Sequence, residues 1–130
     1  MKPTFAAAVA LGVGLSFGTI AQGASEKDRV IGRAASSGDY AVTLASGNAK
    51  KPKQIKVTVT SSPLQKVSGN WTMVCSKGSG AGSKSGSFSA RTPVTRRLRF
   101  PMRAPDSCTV SASGHLSGSG RIVVVLRART

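Results

Sequence analysis

Side chains alternate between apolar and polar along one short run after another, and Gly, Ser, Thr and Pro separate the runs. This pattern constrains the fold more than any other feature. A strand sends successive side chains to opposite faces, whereas a helix needs an apolar period near 3.6. No segment after Gly23 keeps the helical period. Gln54–Thr60 is the clearest strand, with Ile55, Val57 and Val59 on one face and Lys56, Thr58 and Thr60 on the other. Asp39–Ala45 places Tyr40, Val42 and Leu44 together, and Asn70–Lys77 does the same for Trp71, Met73 and Cys75. Ser85–Ala90 is weaker, with Phe88 its only large apolar residue. Val94–Phe100 puts Val94, Leu98 and Phe100 on the side of Arg96, leaving Arg97 and Arg99 opposite with Thr95. Ser107–Ser113 aligns Cys108, Val110 and Ala112, and the continuous apolar run Ile122–Leu126 suits a strand covered on both faces or a central strand.

Turns are expected at Ala45-Ser46-Gly47-Asn48, Ser68-Gly69, Pro101–Asp106 and Ser117–Gly120, and Lys77–Gly86 reads as a mobile loop between strands. Residues 24–37 carry few apolar groups and are expected to form a loose arm or an added edge strand, with the domain proper spanning 38–130. About seven short strands in one antiparallel, all-β unit suggest an immunoglobulin-like sandwich.

The chain has two cysteines, Cys75 and Cys108, both in strand-like runs, so one intrachain disulfide is expected if the compartment is oxidising. Closing a loop of that span stabilises a domain by about 3.5–4 kcal/mol in the chain-entropy view. Trp71 precedes Cys75 by four residues, so alternation places the indole on the cysteine's face, beside the expected cross-link. In antibody-type domains the tryptophan instead follows the first cysteine on another strand, so the strand topology stays open.

The compartment is argued from the N-terminus. Lys2, the apolar run Phe5–Ile20 and the small residues of Ala21-Gln22-Gly23 form the three parts of a helical secretory signal peptide, 1–23, cleaved after Gly23. The expected product is a secreted monomer with no membrane span in its mature form.

The segments NWTMVCSKGSGAGSKSGSFSARTPV and MRAPDSCTVSASGHLSGSGRIVVVL resemble a group of small exported actinobacterial proteins of uncharacterised function. The shared pattern is a Trp-x-x-x-Cys strand, a Gly/Ser loop, a Pro-Asp-Ser-Cys-Thr-Val strand and a Gly-initiated final strand, over roughly Ser68 to Leu126. The resemblance implies export, one disulfide and a β fold, and it implies no activity.

Catalytic chemistry has little to draw on. His115 is the only histidine and is expected in a turn between the last two strands. No Gly-x-Ser-x-Gly elbow supports a nucleophilic serine, and Glu26, Asp28, Asp39 and Asp106 form no recognisable pair. One histidine and two bonded cysteines leave no metal-ligand cluster, and no cofactor motif is present. A non-enzymatic domain is therefore expected.

What remains is charge. Nineteen basic residues stand against four acidic ones, a formal net charge of +15, which favours anionic partners. Arg97 and Arg99 share a strand face about 7 Å apart. Their guanidinium groups can grip phosphate or sulfate bidentately, and Lys56 would help only if its strand lay beside theirs. Wall polymers, polysaccharides and nucleic acid are the candidate partners. Only Tyr40, Trp71, Phe88 and Phe100 supply aromatic rings after Gly23, and the core needs most of them. Dedicated single-strand nucleic-acid binding is therefore disfavoured. A solvated basic surface that merely keeps the protein soluble is the plainer account of the same residues. The alternative role is a protein-binding module, such as a protease inhibitor presenting the 101–106 loop with Met102 or Arg103 as anchor.

Overall fold

The computed structural model describes residues 28–130, so the expected signal peptide, 1–23, lies outside the described residues. Eight strands follow one another: β1 (Arg29–Asp39), β2 (Val42–Lys50), β3 (Gln54–Ser62), β4 (Lys66–Lys77), β5 (Gly80–Arg91), β6 (Val94–Leu98), β7 (Ser107–Leu116) and β8 (Ser119–Arg129). They form two four-stranded antiparallel sheets, ordered β1-β8-β3-β6 and β2-β7-β4-β5, packed as a sandwich. The expected all-β sandwich is what the chain forms, and no helix occurs among the described residues.

Between the sheets, large side chains of one meet small ones of the other. Ile55, Val57, Val59, Ile122, Val124 and Leu126 come from the first sheet, each at most 1% exposed. The second answers with Ala45, Ala49, Ala112 and Gly114 alongside Met73, Val110 and Leu116. A Cβ on Gly114 would stand 2.8 Å from Ile122 Cδ1, so the glycine leaves room for the isoleucine. β8, the Ile122–Leu126 run, is an interior strand as its composition suggests.

One long edge of the sandwich is pinched shut. β1 and β2 belong to different sheets, yet a Cβ on Gly32 would lie 2.2 Å from the Ser46 carbonyl oxygen, and one on Gly47 would lie 2.3 Å from that of Ile31. Backbone touches backbone there, which only glycine permits. This corrects the expected turn at residues 45–48: they run through β2, and Gly47 serves a close crossing. It also fixes which face of β2 turns inward. Ala41, Thr43 and Ala45 are buried under the crossing, while Val42 and Leu44 share the solvent face at 58% and 64% exposed.

Two further turns read from the sequence are strand. Ser68-Gly69 lies inside β4, where a Cβ on Gly69 would fall 2.4 Å from the Phe88 ring. Lys77–Gly86 is no mobile loop: β4 and β5 pair from Lys66↔Arg91 to Lys77↔Gly80, with Gly78-Ser79 as the hairpin turn. Gly78 supplies the positive φ, +58°, that a glycine-first two-residue turn requires.

Cys75 and Cys108 are disulfide-bonded and directly opposite one another on β4 and β7, with Cα atoms 4.1 Å apart. The bond therefore ties neighbours within one sheet, near the roughly 4.5 Å spacing of a non-hydrogen-bonded antiparallel pair. Trp71 shares the inward face, but alternation leaves Met73 between it and Cys75. The indole lies over Gly86 of β5, where a Cβ would meet Nε1 at 2.7 Å.

Candidate functional site

The sheet order decides which cations meet. β3 runs between β6 and β8, so Lys56 stands opposite Arg97 on one side and Arg127 on the other. All three point outward, because Ile55, Val57, Leu98 and Leu126 on the alternate positions are buried. The row Arg97–Lys56–Arg127 thus crosses three strands, about 5 Å per step. Arg33 on β1, opposite Val125, and Arg129 at the end of β8 extend the same face. The condition set for Lys56 from the sequence is met. Arg127, one of the C-terminal basic residues Arg121, Arg127 and Arg129, and Arg33 take their place in the row through strand order alone.

Like charges directly opposite one another destabilise a sheet, and one carboxylate offsets this. Asp28 Oδ2 lies 2.5 Å from Lys56 Nζ, and Oδ1 faces Arg129 Nε at 3.6 Å, an ion pair beyond hydrogen-bond length. The Lys56 hydrogen bond holds the Asp28 carboxyl below the usual carboxylate range, and the charges of Lys56 and Arg129 act in the same sense against desolvation. Arg129 Nη2 in turn donates to Gln54 Oε1.

Arg99 is placed differently from Arg97. β6 stops at Leu98, opposite Ile55 and one residue short of the start of β3 at Gln54, so Arg99 and Phe100 lie beyond the strand. Both arginines line a hollow of about 640 Å³ at this notch, with Lys53, Gln54, Lys84 and Phe100. Lys84 reaches it from the edge strand β5, opposite Met73 in the ladder and so on the inward side. A second hollow of about 630 Å³ adjoins the first, sharing Lys53 and Phe100 and running on past Met102 and Arg103 to Pro105.

The 101–106 loop is firmly tied. Gly78 N–H donates to Asp106 Oδ2 at 2.8 Å, and Lys77 Nζ donates to the Arg103 carbonyl at 3.0 Å. The Asp106 backbone donates to Ser76 O and accepts from Lys51 N. Met102 is half-buried against the core, while Arg103 is exposed. His115 is not in a turn: it lies in β7 between Val42 and Ser68 on the exposed face of the second sheet. There the outward residues of β4 and β5 are small or polar apart from Val74 and the charged pair Lys66 and Arg91, with exposed Lys77 at the hairpin. Among the described residues, no three His, Cys, Asp or Glu side chains come together as a metal site, and no helix is long and apolar enough to cross a membrane.

No protein-family model matches the chain, and no curated protein does.

Proposed function

We propose that the protein is a secreted, non-enzymatic domain that adheres to anionic polymers of the cell surface or surroundings. One observation carries the reading: three cations from three different strands, Arg97, Lys56 and Arg127, form a row on a rigid sheet face. A row of fixed charges meets a linear polyanion without ordering flexible loops first, so less entropy is lost on contact. A cross-linked sandwich suits an oxidising, extracellular setting, and the disulfide accords with the export suggested by the N-terminal run. The test is a salt titration of binding to heparin, teichoic acid and DNA. Log affinity should fall linearly with log salt, and Arg97→Ser/Arg127→Ser should flatten the slope. A wild-type protein that binds none of the three at low salt would leave the basic surface as a solubility feature alone.

A second reading is favoured by the bracing of the 101–106 loop. Its four hydrogen bonds to the β4–β5 hairpin and to Lys51 hold exposed Arg103 in a fixed frame, as an inhibitor loop requires. Inhibition of a protease would persist at high salt and vanish in Arg103→Ala, which separates it from polymer adhesion.

A further inference from the structure

The notch where β6 ends is built unlike the outer face. Lys53, Lys84, Arg97 and Arg99 come from a turn, an edge strand and the end of β6, and converge on one hollow that no carboxylate lines. None of the four is ion-paired among the described residues. Gln54 Oε1 is occupied by Arg129 Nη2, so the amide N–H₂ is the end left to donate. The apolar wall is Phe100, half-buried against the core, beside buried Leu98. The neighbouring hollow prolongs this wall through Met102 to Pro105 and adds Lys51 and Arg103 on its rim. Its single acid, Asp106, is turned to the Gly78 N–H.

We infer that this groove binds a sulfated or phosphorylated polysaccharide segment, with a sugar ring against Phe100 and its ester groups among Lys53, Lys84, Arg97 and Arg99. The inference rests on the adhesion reading and narrows it to one ligand class. Four uncompensated cations around one hollow match a segment carrying several charges within a few units, whereas a single carboxylate leaves most of them unpaired. Guanidinium groups add bidentate geometry for the oxygens of a sulfate or phosphate ester. Two hollows in series, sharing Lys53 and Phe100, fit an extended chain better than a compact ion. The apolar wall gives a reason for a ring-bearing polymer over a bare phosphate chain. A nucleic acid would need several stacking surfaces in sequence, and the groove offers one aromatic ring. Arg97 belongs to both the outer row and the groove, so the two surfaces join.

The test separates groove from row through residues that lie only in the groove. Binding of heparin, a sugar-bearing teichoic acid, inorganic polyphosphate and single-stranded DNA is measured at fixed salt. The proteins are wild type, Lys53→Ser/Lys84→Ser, Phe100→Leu and the charge-matched control Lys66→Ser/Arg91→Ser, whose residues stand opposite each other at the far end of the β4–β5 ladder. The groove variant should lose at least tenfold in affinity for heparin or teichoic acid, the control less than threefold. Phe100→Leu should weaken the sugar polymers severalfold and leave polyphosphate unchanged. Loss confined to heparin, or to teichoic acid, tells sulfate ester from phosphate ester as the natural group. Equal losses in groove variant and control would overturn the groove while leaving adhesion to the outer face intact. A Phe100→Leu effect as large on polyphosphate would overturn the ring contact, and tighter binding of DNA than of either sugar polymer would overturn the ligand class. No binding of anything by the wild type would instead remove the adhesion reading itself.

Discussion

Asp28 lies against Lys56, carboxylate to ammonium at 2.5 Å, and faces Arg129 beside it on the same sheet face. It occupies the place an anionic ligand group would take, and Lys56 and Arg129 both turn to it. Asp28→Asn should therefore strengthen polyanion binding, by roughly three- to tenfold at low salt, since the variant gains one net positive charge and releases Lys56. Stability should fall only slightly, by about 0.2–1 kcal/mol, as befits a partly exposed ion pair. Unchanged or weaker binding by Asp28→Asn would show that Lys56 takes no part.

The same contact makes a small part of the stability depend on pH. The folded-state pKa of Asp28 is depressed, chiefly by the Lys56 hydrogen bond. Its contribution is thus fully present above the unfolded value, near 3.9, and is lost as pH falls through the lower folded value. Melting temperatures of wild type and Asp28→Asn should differ at pH 7 and converge as the pH is taken below the folded-state value. A difference that persists at the acid end would point to packing of the side chain rather than its charge.

Gly47 and Gly32 allow two strands of opposite sheets to cross in backbone contact. A methyl group at Gly47 would collide with the Ile31 carbonyl, and neither strand can yield without moving its sheet. Gly47→Ala should lower Tm by roughly 5–20 °C, in line with overpacking costs of about 1–3 kcal/mol. Gly80→Ala is the control. The nearest atom to its Cβ would be Lys77 O at 3.4 Å, an ordinary contact, and Tm should stay within about 3 °C.

Strands with apolar residues at alternate positions were legible in the sequence: β3 and β7 each bury the face their pattern marks, whereas the continuous run of β8 marked an interior strand and not a face. β2 was legible in period and not in side. Its small residues face inward because β1 crosses so close, and that crossing is a long-range event that local pattern cannot carry. β5 was half hidden for a related reason. Its Gly and Ser residues look like a linker, yet Gly86 and Gly82 face inward, the first to receive the Trp71 indole and the second against Pro101 and Met102. In the candidate site, alternation suggested one strand face for Arg97 and Arg99, but β6 ends at Leu98 and the two meet only around the hollow. Lys56 and Arg127 joined Arg97 only through sheet order, and Lys53 and Lys84, far apart in sequence, only at the hollow beyond the end of β6. The cysteine pair was legible as a bond, while its place inside one sheet depended on β4 and β7 being neighbours.

The disulfide closes a 33-residue separation that includes β5 and β6. Both cysteines are at most 2% exposed, so the bond also fills core volume. Cys75→Ala/Cys108→Ala should cost about 2–4 kcal/mol. The native protein should take up no thiol reagent until it is reduced, as read by intact mass. Uptake of two alkyl groups without reductant would show that the thiols are free in the isolated protein.

Arg97 and Arg99 test whether geometry or charge alone sets affinity. Both line the notch, and Arg97 also ends the outer row. Replacing both with Ser removes two contacts, so the slope of log affinity against log salt should flatten by roughly 0.7–0.9 per contact, with DNA as the probe polymer. Replacing both with Lys keeps the charge and hence the slope, but gives up the planar fork that binds two oxygens at once. Affinity for heparin should then fall severalfold at every salt concentration, as a parallel displacement of the line. Neither variant should shift Tm by more than a few degrees, because both side chains are exposed and Arg97 faces a like charge in Lys56. A Lys variant that binds as tightly as wild type would show that the polymer senses charge density alone, and that the fixed geometry of the notch contributes nothing to its recognition.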